Sequence, residues 1–276
     1  MTVGGYSVRS IGNYVREMRF IFEYYPDVSP TDLTAEQVEQ YICYIKKVFN
    51  SGLSKCRLVA SSVSFYYKQI LKRPYDLPSK LYPRRKFQLP NVMSTEEIRQ
   101  LLNLSCNLKQ QAIIQLFYSS GVRLEECSRI KIADIDSKNM RIKVVQGKGK
   151  KDRYTLLSSF ALTTLREYFR KYRPITYLFE GTRKGKGMHC RSIEFHVELA
   201  MKQAGFKDKG FSAHTLRHSF ATHLLDTGTD LHTIKELLGH SNLSTTMVYL
   251  HLQTHRCSRI INPLDQLTNQ QSNGSK

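Results

Sequence analysis

The sequence predicts a mainly α-helical protein with a small β-sheet, organised in two lobes. Apolar residues recur at three- and four-residue spacing along most of the chain, which is typical of amphipathic helices. In 140–157, apolar and polar residues instead alternate on both sides of a Gly147-Lys148-Gly149 turn, and this pattern indicates a β-hairpin. Prolines at 74, 78, 83 and 90 disfavour both helix and sheet, so we expect an extended linker over 73–93.

The composition is strongly basic. The 276 residues include 42 Lys and Arg against 23 Asp and Glu, a formal net charge of +19. Such a surplus indicates a polyanionic partner, either nucleic acid or an anionic membrane surface. The basic residues are dispersed along the chain and do not gather on one amphipathic helix, which favours nucleic acid. An apolar content of 41% excludes a disordered basic tail.

The expected location is cytoplasmic, in association with the nucleoid. No apolar run is long enough to cross a bilayer, which takes about 18 residues or more, and 1–14 lacks the apolar stretch of a secretory signal. The six cysteines lie far apart and none forms a CxxC pair. They are therefore expected to be reduced thiols and not a disulfide framework or a zinc knuckle.

Three helices are expected in the first lobe, over 7–25, 34–49 and 55–72. The second begins with a capping box, formed by Thr34 and Gln37. The third is basic and is a candidate for the major groove of DNA. The candidate DNA contacts are Lys55, Arg57, Lys68, Lys72 and Arg73 of this region and Arg84, Arg85 and Lys86 of the linker. The linker run is equally well explained as a solvated segment.

The second lobe opens with another capping box, at 94–97, and continues with helices on both sides of the hairpin. These helices are expected over 95–105, 109–120, 159–172, 191–205, 215–227 and 230–238.

The motifs do not indicate a metal or cofactor site. His214 and His218 lie four residues apart on an expected helix, but no HExxH pattern joins them and no other ligand stands at suitable spacing. The Gly147-Lys148-Gly149 turn is not a P-loop, because no GxxxxGK[ST] pattern occurs. We therefore expect no cofactor and no bound metal.

Three segments of the second lobe carry the candidate chemistry. They are Ser120-Gly-Val-Arg-Leu-Glu-Glu126, His214-Thr-Leu-Arg-His-Ser-Phe-Ala-Thr-His223 and Leu238-Gly-His-Ser-Asn-Leu-Ser-Thr-Thr-Met-Val-Tyr249. Together they resemble the catalytic domain of the tyrosine recombinase (phage integrase) family, and the resemblance is strongest to its short Xer-type and integron-type members. It implies six catalytic residues: Arg123, Lys148, His214, Arg217, His240 and Tyr249.

The resemblance also implies the architecture and the partners. We expect a C-shaped clamp with a helical, SAM-like core-binding domain over 1–82, a linker over 83–93 and a catalytic domain over 94–276, whose apolar tail begins near 256. The expected partner is double-stranded DNA with an inverted-repeat core site. The expected assembly is a homo-tetramer on two DNA sites, with a hetero-tetramer that includes a paralogue left open. Whether Tyr249 acts in its own subunit or in a neighbour is also left open.

Elementary chemistry agrees with these assignments. Attack of a side chain on a phosphodiester builds negative charge on phosphorus, and the guanidinium groups of Arg123 and Arg217 can neutralise it as fixed donors. His240 adds a third donor. Tyr249 has an ordinary pKa of about 10 and needs a proton acceptor, for which His214 is the candidate. Lys148 is the candidate acid for the leaving 5′ oxygen, although Lys150 and Lys151 share its turn.

Alternatives remain at the level of sequence. Taken singly, Arg123 is well explained as a surface arginine and Tyr249 as a packed core aromatic, whereas the whole set in this order favours function. Two rival classes are a type IB-like DNA topoisomerase with the same chemistry and a non-catalytic DNA-binding regulator. If the apolar stretch at 256–268 docks on a neighbouring subunit, it favours a recombinase over a topoisomerase. If it folds back on its own lobe, it does not distinguish the two classes.

Overall fold

The computed structural model describes residues 6–82, 89–104, 107–145 and 152–252. They form two compact units, divided between Gln88 and Leu89, and each unit has a hydrophobic core. Several sequence predictions lie outside the described residues: the catalytic assignment of Lys148, the linker contacts Arg84, Arg85 and Lys86, and the tail from 256 onwards. In the four described ranges, no helix is both long and apolar enough to span a membrane.

The described part of the first unit is helical. It contains α1 (Val8–Tyr24), α2 (Ala35–Val48), α3 (Leu53–Phe65) with a π-helical continuation (Tyr66–Ile70), and a 3-10 turn (Ser79–Leu81). The predicted capping box is confirmed, because the Gln37 backbone N–H donates to Thr34 Oγ1 at 3.2 Å and the Thr34 N–H donates to Gln37 Oε1 at 2.9 Å. Apolar faces of the three helices meet in a core that includes Ile21, Val38, Ile45, Val59 and Val63.

The described residues of 73–93 contain no helix or strand apart from the 3-10 turn Ser79–Leu81, and both described ends of this stretch pack on the units beside them. On the first unit, Leu81 is buried in the core and the Tyr75 hydroxyl donates to the Leu33 carbonyl at 2.8 Å. On the second unit, Met93 is buried and its backbone N–H donates to Ser219 Oγ at 2.9 Å. The prolines do exclude long helices here, but aromatic and apolar residues between them still gain free energy from burial.

The second unit surrounds a small sheet with helices. Its described elements are α4 (Thr95–Leu104), α5 (Leu108–Ser120), α6 (Leu124–Cys127), β1 (Ile135–Asp136), β2 (Arg141–Val144), β3 (Arg153–Leu156), α7 (Ser159–Tyr172), α8 (Cys190–Gln203), α9 (Ala213–Asp226), α10 (Leu231–Leu238), α11 (Leu243–Met247) and a 3-10 turn (Val248–Leu252). This arrangement confirms the mainly α-helical class with a small sheet.

The sheet is antiparallel in the order β1-β2-β3. Ile142 is paired with Ile135 on one side and Thr155 on the other, and Val144 is paired with Arg153. The strands predicted for the hairpin are therefore confirmed. The two-residue strand β1 is not predicted by the sequence, because two residues are too short to show alternation.

Helix α5 lies at the centre of the second unit. It packs against α7, α8 and α9, and its residues Ile113, Ile114, Leu116 and Phe117 are fully buried. Because the helix has neighbours on several sides, it is apolar around most of its circumference. This central helix ends at Ser120, is capped by Gly121 two residues before Arg123, and so provides a rigid support for the first candidate segment.

A smaller cluster of buried residues joins α9, α10 and the C-terminal 3-10 turn. It contains Phe220, Leu225, Ile234, Leu238 and Tyr249. The apolar packing of these elements holds the ring of Tyr249 inside the second unit. It also places Tyr249 next to α9, although about 30 residues separate them in sequence.

We predict that Gly121→Ala destabilises the second unit by on the order of 2–5 kcal/mol. Gly121 has a φ of +59°, and a Cβ there would overlap the ring of Phe220 and lie 2.9 Å from Leu238 Cδ2. Both backbone strain and overpacking are therefore expected. The measurement is the free energy of unfolding in urea.

Gly205→Ala is the matched control. Gly205 also has a positive φ, of +80°, but a Cβ there would meet nothing within 4 Å. This variant should lose only the strain of the left-handed conformation, about 1–2 kcal/mol. Equal losses in the two variants would contradict the close packing at Gly121.

Candidate active site

The three candidate segments meet in the second unit. Arg123 stands directly before α6, Arg217 lies on the first turns of α9, His240 follows the end of α10, and Tyr249 lies in the C-terminal 3-10 turn. Residues distant in sequence thus surround one place in the fold.

Arg123 is held by α6 and by the turn after α10. Its Nη1 donates to Glu126 Oε1 at 2.7 Å, and its Nη2 donates to the Gly239 carbonyl at 2.8 Å. The Arg123 backbone N–H also donates to Glu126 Oε2 at 2.7 Å. Glu126 therefore holds both the backbone and the guanidinium of Arg123 in place.

Arg217 is almost completely buried, with a relative exposure of 4%. Its Nη2 donates to the Leu238 carbonyl at 2.7 Å, and its Nη1 donates to the Gly121 carbonyl. Burial, together with the charge of nearby Arg123, lowers the pKa of Arg217 to about 9. Its guanidinium therefore remains protonated at neutral pH.

Glu126 also binds a third arginine, Arg153 of β3. Arg153 Nη1 and Nη2 donate to Glu126 Oε1 and Oε2 at 2.8 and 2.7 Å, and Arg153 Nε donates to the Leu237 carbonyl at 2.9 Å. Burial raises the pKa of Glu126, but the hydrogen bonds and charges of Arg153 and Arg123 outweigh it and lower the pKa to about 2. The carboxylate therefore stays ionised throughout the physiological range.

The charges of this cluster do not cancel. Arg123, Arg153 and Arg217 bring three positive charges, and Glu126 supplies one negative charge, at 4.0 Å from Arg217 Nη1. The surplus is two positive charges in a largely buried setting. Such a cluster is suited to an anion that approaches from solvent.

Tyr249 is buried, at 2% relative exposure, and lies between two histidines. Its hydroxyl is hydrogen-bonded to His218 Nδ1 at 3.0 Å, and its ring is nearly parallel to that of His240, at a centroid distance of 6.3 Å. Burial raises the pKa of Tyr249, and the charges of Arg217 and Arg123 counteract this rise in part. The tyrosine is therefore a phenol, and not a phenolate, at neutral pH.

His240 is fixed through its own hydrogen bond, between Nδ1 and Thr246 Oγ1 at 2.9 Å. Burial lowers the pKa of His240 to about 3, with a further contribution from Arg217 and Arg123. A neutral His240 whose Nδ1 accepts from Thr246 carries its proton on Nε2, and that N–H can serve as the expected additional donor.

His214 is the exception among the predicted residues that the structure describes. It is the second residue of α9 and its side chain is exposed. The histidine that contacts the phenol is instead His218, one helical turn further along and next to Arg217.

Two residues of the site were missed by sequence reasoning. His218 lies four residues after His214, a spacing that places both on one helix face, and this was the available signal. Arg153 gives no signal of its own, because an arginine in a short alternating strand is normally solvated. Only the tertiary contacts with Glu126 and Leu237 identify it.

The basic residues predicted to bind DNA in the first unit are partly engaged within it. Lys55 forms an ion pair with Glu17, whose side chain is fully buried, and Lys68 Nζ lies 3.0 Å from Asp76 Oδ1. DNA contact by these two lysines stays a prediction. The same holds for Arg57, Lys72 and Arg73.

Among the described residues, no three His, Cys, Asp or Glu side chains come together as candidate metal ligands. His214 and His218 lie four residues apart on α9, and His218 is hydrogen-bonded to Tyr249.

We predict that Glu126→Gln destabilises the second unit by about 3–5 kcal/mol, because buried arginines lose their only carboxylate partner among the described residues. The measurement is urea unfolding at neutral pH. The neighbouring, exposed Glu125→Gln is the control and should change the stability by less than about 0.5 kcal/mol. A loss below about 1 kcal/mol for Glu126→Gln would contradict a buried, charged carboxylate.

We also predict that the chain loses stability as the pH falls from about 7 to 3. The folded pKa values of His218 and His240, about 4 and 3, lie below the unfolded value of about 6.5, so the unfolded state binds more protons in this window. Glu126, with a folded pKa of about 2, acts in the same direction below about 4.3.

The measurement is the free energy of unfolding in urea at several pH values. The variant with both His218→Asn and His240→Asn should show a shallower slope between pH 6.5 and 4.5. An unchanged slope would argue that these histidines are not held neutral.

Two protein-family models and several known proteins match this chain. Residues 91–256 match the phage integrase family, and residues 1–77 match the phage integrase N-terminal SAM-like domain. Tyrosine recombinase XerD of Listeria innocua is 30% identical over 269 residues, which cover 90% of this chain and 89% of that protein.

Two solved structures have the same fold. The XerH site-specific recombinase, in a post-cleavage complex with its palindromic difH substrate, has a TM-score of 0.74 at 22% identity, with 91% of this chain and 78% of that chain covered. A lambda integrase tetramer bound to a Holliday junction has a TM-score of 0.69 at 17% identity, with 88% and 72% covered. The chain therefore belongs to the phage integrase family, in which it is an Xer-type tyrosine recombinase.

Proposed function

We propose that this recombinase cuts and rejoins DNA through a 3′-phosphotyrosine intermediate, without metal or ATP. The observation that carries the proposal is the cluster of three guanidinium groups and one carboxylate beside the buried phenol of Tyr249. Its surplus positive charge is matched to a DNA phosphate and to the greater negative charge of the transition state.

Arg123 and Arg217 are proposed to bind the scissile phosphate. A guanidinium has five N–H donors, and each of these two arginines uses two side-chain N–H groups on described partners. The remaining N–H groups are proposed to donate to the phosphate oxygens. Because the existing bonds fix both side chains, little reorganisation accompanies phosphate binding.

Tyr249 is proposed as the nucleophile. Its Oη forms a bond to phosphorus while the bond from phosphorus to the 5′ oxygen breaks. The leaving oxygen takes a proton, for which Lys148 is the proposed donor, and His240 supplies a hydrogen bond to a phosphate oxygen. His214, exposed at the start of α9, is proposed to face the DNA near the same phosphate.

Rejoining reverses these steps. A 5′ hydroxyl from a second duplex attacks the phosphotyrosine, and the phenol leaves with a proton. One phosphoester bond is made for each one broken, so the exchange conserves bond energy and needs no ATP. Fixed arginine charges take the place that a divalent cation has in other phosphoryl-transfer sites.

The assembly is proposed to be a homo-tetramer on two DNA sites with inverted-repeat cores. The similarity of fold to the lambda integrase tetramer on a Holliday junction and to XerH on a palindromic substrate supports this proposal. We propose that the core-binding domain expected over 1–82 binds the core site through its basic residues and that the tail from 256 docks on a neighbouring subunit.

The proposal is tested by covalent trapping. A duplex is selected from a randomised pool by binding to the chain and is nicked near its centre, so that a short released strand diffuses away and the protein stays attached. We expect a denaturant-resistant adduct with the unaltered chain and none with Tyr249→Phe. Tyr118→Phe is the matched control, because this half-buried tyrosine is likewise hydrogen-bonded to a histidine, and the adduct should be retained in this variant.

The outcomes separate the rival classes. Adduct without exchange between two duplexes would favour a type IB-like topoisomerase, and binding without adduct would favour a DNA-binding regulator. An adduct that persists in Tyr249→Phe would contradict the assignment of the nucleophile.

A further inference from the structure

A hydrogen bond joins His218 to the hydroxyl of Tyr249, the proposed nucleophile. His218 Nδ1 lies 3.0 Å from Tyr249 Oη, and the centroids of the two rings are 5.7 Å apart. The phenol is buried, so its hydroxyl has little access to bulk water. A proton that leaves Tyr249 therefore has a direct acceptor in this histidine.

The protonation state of His218 is suited to that role. Burial lowers the pKa of His218 to about 4, with further contributions from His214 and Arg217, so the ring is neutral at physiological pH. A phenol O–H has one proton to donate, and a neutral imidazole accepts at the nitrogen that carries no hydrogen. When Nδ1 accepts from the Tyr249 hydroxyl, Nε2 carries the ring proton.

We propose that His218 is a catalytic residue: its Nδ1 takes the proton from Tyr249 during strand cleavage and returns it to the phenol during rejoining. This inference rests on the proposed function. As Tyr249 Oη bonds to phosphorus, its proton passes to His218 and the separate proton of the leaving 5′ oxygen comes from the general acid. In the reverse direction, the imidazolium protonates the departing phenol. No proton is gained or lost over the full cycle.

The surrounding charges make this transfer depend on DNA. His218 is faced by His214 and Arg217 of its own helix, by His240 after α10 and by Tyr249 itself. Without a phosphate, the charge of Arg217 disfavours an imidazolium. A bound phosphate supplies the opposite charge and makes proton transfer more favourable. The phenol thus keeps its proton until a phosphate occupies the site.

The experiment measures the single-turnover rate of adduct formation on the selected suicide duplex. His218→Phe removes both the hydrogen bond and the proton acceptor, and we expect a rate lower by about 10²–10⁴-fold. His218→Asn retains a polar group near the position of Nδ1, but an amide does not accept a proton at these pH values. We expect this variant to remain at least about 10²-fold slow.

A pH profile separates proton transfer from positioning. Between pH 6 and 8, the unaltered chain should cleave at a nearly constant rate, because its base is already deprotonated. The His218 variants should speed up by about tenfold per pH unit, because the phenolate then forms through solvent.

His223 provides a matched control on the same helix. Its Nδ1 is hydrogen-bonded to the Tyr118 hydroxyl at 2.9 Å, in a second histidine–tyrosine pair. His223→Phe and His223→Asn should leave the rate and its pH dependence within about threefold of the unaltered chain. Circular dichroism and duplex binding verify that each variant is folded.

Three results would overturn the inference. One is an unchanged rate in His218→Phe, and another is full activity of His218→Asn, which would reduce the role to orientation. The third is a rate in both variants that is slow but flat with pH. If the unaltered chain itself forms no adduct, the proposed function fails and the role of His218 fails with it.

Discussion

The buried carboxylate of Glu126 is the interaction on which the catalytic unit depends. The two arginines that we propose to bind one phosphate, Arg123 and Arg217, repel each other where they lie close together. Glu126 is bonded to Arg123 and Arg153 and lies near Arg217, so it offsets part of this repulsion. A surplus of positive charge remains, and it is the property that a phosphate site requires. Removing the carboxylate would affect both stability and binding.

The same cluster connects segments that are far apart in the chain. Arg153 extends from β3 to Glu126 of α6 and to the Leu237 carbonyl at the end of α10. This contact needs space, and Gly239 provides it, because a Cβ there would lie 2.8 Å from Arg153 Cδ. The strand β3, which follows the Gly147-Lys148-Gly149 turn in sequence, is thereby attached to the segments that carry Arg123 and His240.

Burial controls the proton chemistry of the site. Tyr249 is buried and His218 and His240 are half-buried, and burial disfavours the charged form of each. In the absence of DNA, the site therefore holds a neutral phenol and two neutral imidazoles beside charged arginines. A phosphate changes this balance, since its charge stabilises the positive groups around it.

The sequence alone determined the fold class, the main helices, the hairpin strands and the family, because periodicity, capping and motif spacing are local or ordered along the chain. The capping box at Thr34 is an example that the structure confirms. Only the tertiary structure decided which side chains meet. Arg153 and His218 were not assigned to the site from sequence, since their partners Glu126 and Tyr249 lie 27 and 31 residues away and are brought close by packing alone.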